Sequence, residues 1–206
     1  MKKMSDLDKE LVKLFGEDKF AKIINAKIGI AGCGGLGSNC AGFLVRSGFR
    51  DLKIVDFDNV ESSNLNRQFY FKDQEGEKKV EALKANLEKI NPSVKIEAIT
   101  VKIEKENVEE IFSDRSIIVE AFDKAEYKSM IISELVEKKE MVVSVSGICG
   151  IGESDKIVTR RIKDNLVIIG DLVTDSEKNR PFAPKVAIAA AKQADIILEY
   201  VLSMGG

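Results

Sequence analysis

A chain of 206 residues with a formal net charge of −2 has room for one domain with a substantial core and exerts no general pull on nucleic acid or an anionic membrane. It contains no histidine, so the commonest general base is missing, and its three cysteines (Cys33, Cys40, Cys149) form neither a disulfide framework nor the C-x-x-C pairs of a four-thiolate zinc site. No apolar run approaches a membrane span and the first six residues lack a signal-peptide core, so the expectation is a cytoplasmic protein, residues 1–206 forming one domain.

Residues 5–24 carry Leu7, Leu11, Leu14 and Phe15 at helical spacing, which predicts a helix packed outside the glycine-rich unit that begins at Ile28. An apolar run from Ile28 predicts a buried strand. Gly32, Gly34 and Gly37 come after it with the spacing G-x-G-x-x-G, with Gly35 inside the turn. A helix over about 35–48 and a second strand ending on Asp56 complete a nucleotide-binding unit. Glycine allows a sharp turn and a close approach of phosphate oxygens to backbone amides, and the helix N-terminus adds partial positive charge. Asp56 falls where a carboxylate takes ribose hydroxyls. This unit by itself permits either ATP or NAD.

Residues 59–69 are polar and loop-like, with adjacent turn formers at Ser62, Ser63 and Asn64. Val80, Leu83, Leu87 and Ile90 predict a helix over about 75–90, ended by Asn91-Pro92. Residues 94–99 alternate as a strand, and the charged run 102–110 reads as a solvated helix face. A short buried strand spans 116–121, Asp123 sits just past its end, and a helix comes next over about 124–139. Met141–Val145 is a fifth strand, stopped at Gly147. Alternating strands and helices predict an α/β, Rossmann-like, doubly wound and mostly parallel sheet over about 27–147. The glycine turn, Asp56 and Asp123 all fall at carboxyl ends of strands, where such sheets bind ligands.

Beyond Gly147 the pattern changes to an extension over about 148–206. Residues 156–162 and 166–169 read as a hairpin or added antiparallel strands, 171–181 as a polar loop, and 184–203 as a final helix. The alanines of that helix suit close packing, in the core or across a dimer. Cys33, Cys40 and Cys149 are expected to be buried rather than reactive.

Certain strings go together. Gly32-x-Gly34-Gly35-Leu36-Gly37-Ser38, then Asp56-x-Asp58, then Ser63-Asn64-Leu65-Asn66-Arg67-Gln68, then Gly76-Glu77-Lys78-Lys79-Val80, then Phe122-Asp123, resemble the ubiquitin-activating-enzyme-like superfamily. Within it are the ThiF and MoeB proteins, which adenylate the C-terminus of a small ubiquitin-like sulfur carrier. Ala183-Pro184-Lys185-Val186 through Gln193-Ala194 is similar to the short, zinc-free ThiF branch. The resemblance implies nucleotide contacts from Gly32, Gly34, Gly35, Gly37, Asp56, Asp58, Asn64, Arg67 and Lys79. It implies catalytic roles for Arg67, Lys79 and Asp123, with Asp123 holding Mg2+. It also implies ATP, a carrier ending in Gly-Gly that serves thiamine thiazole synthesis, and a homodimer; the missing C-x-x-C pairs and the near-neutral charge lead to the expectation of no zinc and no nucleic-acid or membrane partner.

The sequence also departs from the superfamily pattern. No Arg-Tyr-x-Arg-Gln stretch precedes Ile28, Asp-Asn is replaced by Asp123-Lys124, Lys128 stands for an arginine, and the loop over 171–184 has no cysteine. Adenylation suits a chain without histidine, because the attacking carboxylate is already ionised at neutral pH. The same fold could activate another carboxylate, as tRNA threonylcarbamoyl-adenosine cyclases do. An NAD-dependent oxidoreductase and a nucleotide sensor without turnover are the remaining alternatives.

Overall fold

The short apolar runs become the strands of one sheet. The computed structural model describes residues 4–174 and 179–203, so part of the expected 171–181 loop lies outside the described residues. Strands β1 (Lys27–Ala31), β2 (Asp51–Val55), β3 (Lys95–Ile99), β4 (Ile117–Glu120), β5 (Met141–Val145), β6 (Val158–Lys163) and β7 (Leu166–Gly170) lie in the order β3-β2-β1-β4-β5-β7-β6. All neighbours are parallel except β6, which runs antiparallel to β7 on the sheet edge. The expected hairpin is therefore present, but its second strand lies parallel to β5 inside the sheet. β7 (Leu-Val-Ile-Ile) is mostly buried, whereas the polar β6 is largely exposed.

Helices cover both faces. α3 (Gly35–Arg46), α4 (Lys79–Ile90) and α7 (Ala183–Ser203) bury Leu44, Val80, Leu83, Leu87 and Ile197 against one face. α5 (Val108–Ile111) and α6 (Ala125–Leu135) bury Val108, Ile131 and Leu135 against the other, around Phe112. Removing each such side chain from water contributes roughly 1.5–3 kcal/mol. Ala189, Ala190 and Ala194 of α7 are in the core, which settles close packing within the chain for those three positions. Cys33 and Cys40 are fully buried and Cys149 nearly so. Burial pushes the Cys33 and Cys40 thiols well up, with the Asp56 carboxylate adding to the effect at Cys33.

Three boundaries differ from expectation. The N-terminal helix is two, α1 (Asp6–Phe15) and α2 (Glu17–Asn25), broken at Gly16 with φ +80°. α4 begins at Lys79 rather than near 75, because Lys72–Gln74 forms a 3-10 turn and Lys78 pairs as an isolated bridge with Asn59. In the charged run 102–110 helix begins only at Val108, and the rest is turn and irregular chain, since Ile103 and Val108 are the only buried apolar residues there and do not order a longer amphipathic face.

α1 is tied down by a buried carboxylate. Asp8 accepts from the Ser5 amide at 2.6 Å and from Asn91 Nδ2 at 3.0 Å, and it pairs with Arg50 at 2.5 Å. Burial raises its pKa, but these donors outweigh it and hold the carboxyl at about 2. A depressed folded-state value stabilises above the unfolded value of 3.8, and the contribution is lost as pH falls through about 2. Asp8→Asn should therefore cost on the order of 2 kcal/mol at neutral pH. Denaturant titrations should show the gap between wild type and variant closing between pH 4 and pH 2; a gap that stays constant would mean that the charge is not what Asp8 contributes.

Candidate active site

The strand order reverses between β1 and β4, and the glycine turn leaves β1 at that point. Gly32 has φ +96°, a conformation that side chains rarely adopt, and its amide donates to the Val55 carbonyl at 2.9 Å. Gly37 is needed for close approach: a Cβ there would sit well inside contact with the Gly32 carbonyl oxygen. α3 is thereby pressed against the turn. Its N-cap is Gly34 and no side chain caps it, so its first amides are available to an anion.

Asp56, just past β2, grips the turn from the side. Its Oδ2 accepts from the Cys33 amide at 2.7 Å and its Oδ1 from the Asp58 amide at 2.9 Å. Each carboxylate oxygen has a further lone pair, so both bonds are compatible with a ribose hydroxyl. Asp58 forms an ion pair with Lys79 at 2.8 Å, and the Lys79 amide donates to the Asp58 carbonyl at 3.0 Å. Lys79 is buried, so its ammonium is held at the first turn of α4 rather than waving in solvent. Asp58 is thus a partner of Lys79 in this structure, a relation that spacing alone does not reveal.

Arg67 approaches from the polar loop. A Cβ at Gly35 would be 3.5 Å from its Cγ, and its Nη1 donates to the Ser63 carbonyl at 3.1 Å and to Asn66 Oδ1 at 2.7 Å. Asn64 is buried within the loop, where its Oδ1 accepts from the Glu61 amide at 3.1 Å. That bond makes Asn64 a brace for the loop that carries Arg67.

Asp123 lies on the other flank, exposed, beyond β4. The intervening corner touches the glycine turn: a Cβ at Gly32 would lie 3.1 Å from the Ala121 carbonyl oxygen and 3.3 Å from Phe122 Cδ1. Helix α6 has Lys124 as N-cap and no side-chain cap, so Asp123 is not serving as a cap. Lys79 and Asp56 therefore stand on the β2 side of the turn, Arg67 beside the start of α3, and Asp123 on the β4 side. Among the described residues no group of three or more His, Cys, Asp or Glu gathers to hold a metal. A single exposed carboxylate fits Mg2+, which takes one or two protein carboxylates and completes its shell with phosphates and water.

Four residues without an individual role in the sequence reading shape the site. Ser38 Oγ donates to the Gly34 carbonyl at 2.6 Å and accepts from the Phe69 amide at 3.0 Å. Asn39 Nδ2 donates to the Gly35 and Arg67 carbonyls at 2.6 and 2.9 Å. The buried Tyr70 hydroxyl donates to the Cys33 carbonyl at 2.7 Å and lies 3.3 Å from that of Lys79. Burial pushes that phenol far up, as do Cys33, Asp56 and Asp58. Gln68 has a buried Oε1 with no partner among the described residues, while its Nε2 would be 3.9 Å from a Cβ at Gly34. An orphaned acceptor beside an uncapped helix start fits a polar ligand. Three of these positions lie inside the motif strings or beside them, but their partners are distant in sequence.

Comparison with known proteins gives the family and the fold. The chain is 32% identical over 139 residues to a molybdopterin-synthase adenylyltransferase of Haemophilus influenzae, covering 67% of this chain and 57% of that one. It is 34% identical over 143 residues to the sulfur carrier protein ThiS adenylyltransferase of Bacillus subtilis, covering 68% and 42% respectively. The chain thus spans about half the length of these curated relatives. In fold it is similar to Escherichia coli tRNA N6-threonylcarbamoyladenosine dehydratase, TcdA, solved in complex with ATP, with a TM-score of 0.87 at 20% identity over 98% of this chain and 97% of that one. No helix among the described residues is long and apolar enough to cross a membrane. The ThiF family model matches residues 7–199, nearly the whole chain, and the chain belongs to the ThiF family.

Proposed function

We propose that this chain uses ATP and Mg2+ to adenylate the C-terminal glycine carboxylate of a small ubiquitin-like sulfur carrier protein, releasing pyrophosphate. The observation that carries the reading is a buried lysine paired with Asp58 and a loop bearing Arg67, both beside a glycine turn that leads into an uncapped helix N-terminus. That set suits a triphosphate better than the single pyrophosphate of a dinucleotide. The names of the two curated relatives support a sulfur carrier as the acceptor. We infer the thiamine carrier in particular, and a homodimeric cytoplasmic enzyme, from the motif resemblance.

The chemistry needs no base. The carrier's carboxylate attacks the α-phosphorus as the pyrophosphate leaves, and the protein orients the two and neutralises charge. The amides of the glycine turn and of the α3 N-terminus face the phosphates, Asp56 orients the ribose, and Arg67 and Lys79 offset the charge gathering on the leaving group. Magnesium held by Asp123 would supply further charge neutralisation at the phosphates. Lys79 is already preorganised by Asp58, so ATP exchanges one anionic partner for another. Exposed Ile151, Leu172, Val173 and Phe182 lie in segments beyond β5 and β7, on the same side of the sheet as the turn, and suit a protein partner rather than a free small acid.

Thermal unfolding tests cofactor choice. ATP with Mg2+ should raise the melting temperature clearly, and NAD should raise it less. A clear shift with NAD and none with ATP would refute adenylation. Carrier-dependent pyrophosphate exchange then identifies the acceptor; exchange with a tRNA carboxylate and with no carrier would move the function to the tRNA reading, which the net charge of −2 disfavours.

A further inference from the structure

We propose that Glu120 is the positioning residue of the magnesium site, its buried carboxylate clamping the β4–α6 corner so that Asp123 is held against the glycine turn. This role rests on the ATP- and magnesium-dependent function proposed for the site.

Glu120 ends β4 after the aliphatic run Ile117–Val119 and is fully buried. A carboxylate in such a place must have its oxygens satisfied. Oε1 accepts from the Phe122 amide at 2.7 Å, and Oε2 accepts from Ser144 Oγ of β5 at 2.6 Å. Lys128 Nζ, one turn into α6, lies 3.3 and 3.2 Å from the two oxygens. From α7, Gln193 Nε2 donates to the Glu120 carbonyl at 3.0 Å and to that of Val143 at 3.2 Å. Four elements therefore meet on one residue, a short step along the chain from Asp123.

The bond to Phe122 distinguishes a clamp from a mere ion pair. A buried pair adds little stability over well-packed apolar residues of the same volume. A carboxylate that accepts the amide two residues on fixes the backbone of the intervening corner, which an aliphatic side chain cannot do. That corner, Ala121-Phe122, packs on Gly32, so a fixed corner places Asp123 relative to the phosphate turn. Lys128 is tied to Glu120 and so ties α6 into the corner.

Calorimetry of ATP binding with Mg2+ and with EDTA tests this without turnover. The ratio of the two affinities reports the metal's contribution. Glu120→Ala should cut that ratio by roughly tenfold while leaving the EDTA affinity within about twofold, the scale expected of a residue that supports a metal ligand. Glu120→Asp, which can still accept the Phe122 amide, should keep the ratio within about twofold of wild type. Melting temperatures taken in parallel can fall for both variants; a purely structural role would lower them and leave the ratio alone. If Glu120→Ala does not fold, the double variant Ser144→Ala/Lys128→Met frees the carboxylate from its distal tethers and should lower the ratio about threefold. A folded variant of either kind with the wild-type ratio overturns the proposal alone. A wild-type ratio near one overturns the magnesium reading, and this proposal with it.

Discussion

Asp123→Asn is expected to slow carrier-dependent pyrophosphate exchange by about a hundredfold or more, the scale of other single electrostatic deletions at a reacting phosphate. The melting temperature should barely move. Asp123 is exposed, it caps no helix, and the amide keeps the size of the side chain. What the substitution removes is one hard anionic oxygen, and with it the magnesium midpoint should rise. Arg67→Ala is the matched control: exchange should fall to a similar extent while the magnesium midpoint stays put, because a guanidinium is donor-only and cannot hold the metal. The decisive measurement is exchange across a magnesium titration. A folded Asp123→Asn protein that exchanges at the wild-type rate with the wild-type midpoint would show that this carboxylate is a bystander.

Gly37→Ala should do the greatest structural damage of any single methyl added at this site. The new Cβ would collide with the Gly32 carbonyl oxygen and press on Ala121 Cβ at 3.2 Å. Neither neighbour is the far end of a flexible side chain. Relief requires α3 to lift away from β1 or the turn at Gly32 to open, and either movement disperses the backbone amides at the start of α3. A loss of about 3 kcal/mol is expected, at the upper end for overpacking. The ATP-induced rise in melting temperature should vanish as well. Gly34→Ala makes the comparison, since a Cβ there meets nothing closer than Gln68 Nε2 at 3.9 Å and the backbone already has φ −74°. Its stability should change by less than about 1 kcal/mol. Urea unfolding of the two variants measures the difference, and equal stability would mean that helix and turn are not packed as described.

Much of the architecture was legible in the chain alone. Buried parallel strands are short, continuously apolar and bounded by turn formers, so each of the first five could be placed within a few residues. The glycine spacing and the Asp56 beyond it announced the nucleotide unit because both are demands of local backbone geometry. Boundaries failed where tertiary contacts override propensity. The helix after Gly76 starts late because Lys78 pairs with Asn59, and the N-terminal helix breaks at a glycine whose helical neighbours gave no warning. The second strand of the C-terminal hairpin pairs with β5 as well, which an alternating pattern cannot announce.

For the candidate site, the sequence by itself nominated the residue types: which carboxylates, which two cations and which glycines, in a chain without histidine. It determined too that three of these groups end up at the carboxyl ends of strands, since that is a consequence of strand and helix alternation. Only the tertiary structure decided who holds whom. Lys79 pairs with Asp58, Asn64 braces its own loop, Tyr70 links the glycine turn to α4, and Glu120 gathers partners from α6 and β5. Periodicity reports which side of its own element a residue faces. Which other element meets that side depends on strand order and helix packing, and those are properties of the whole chain folding at once.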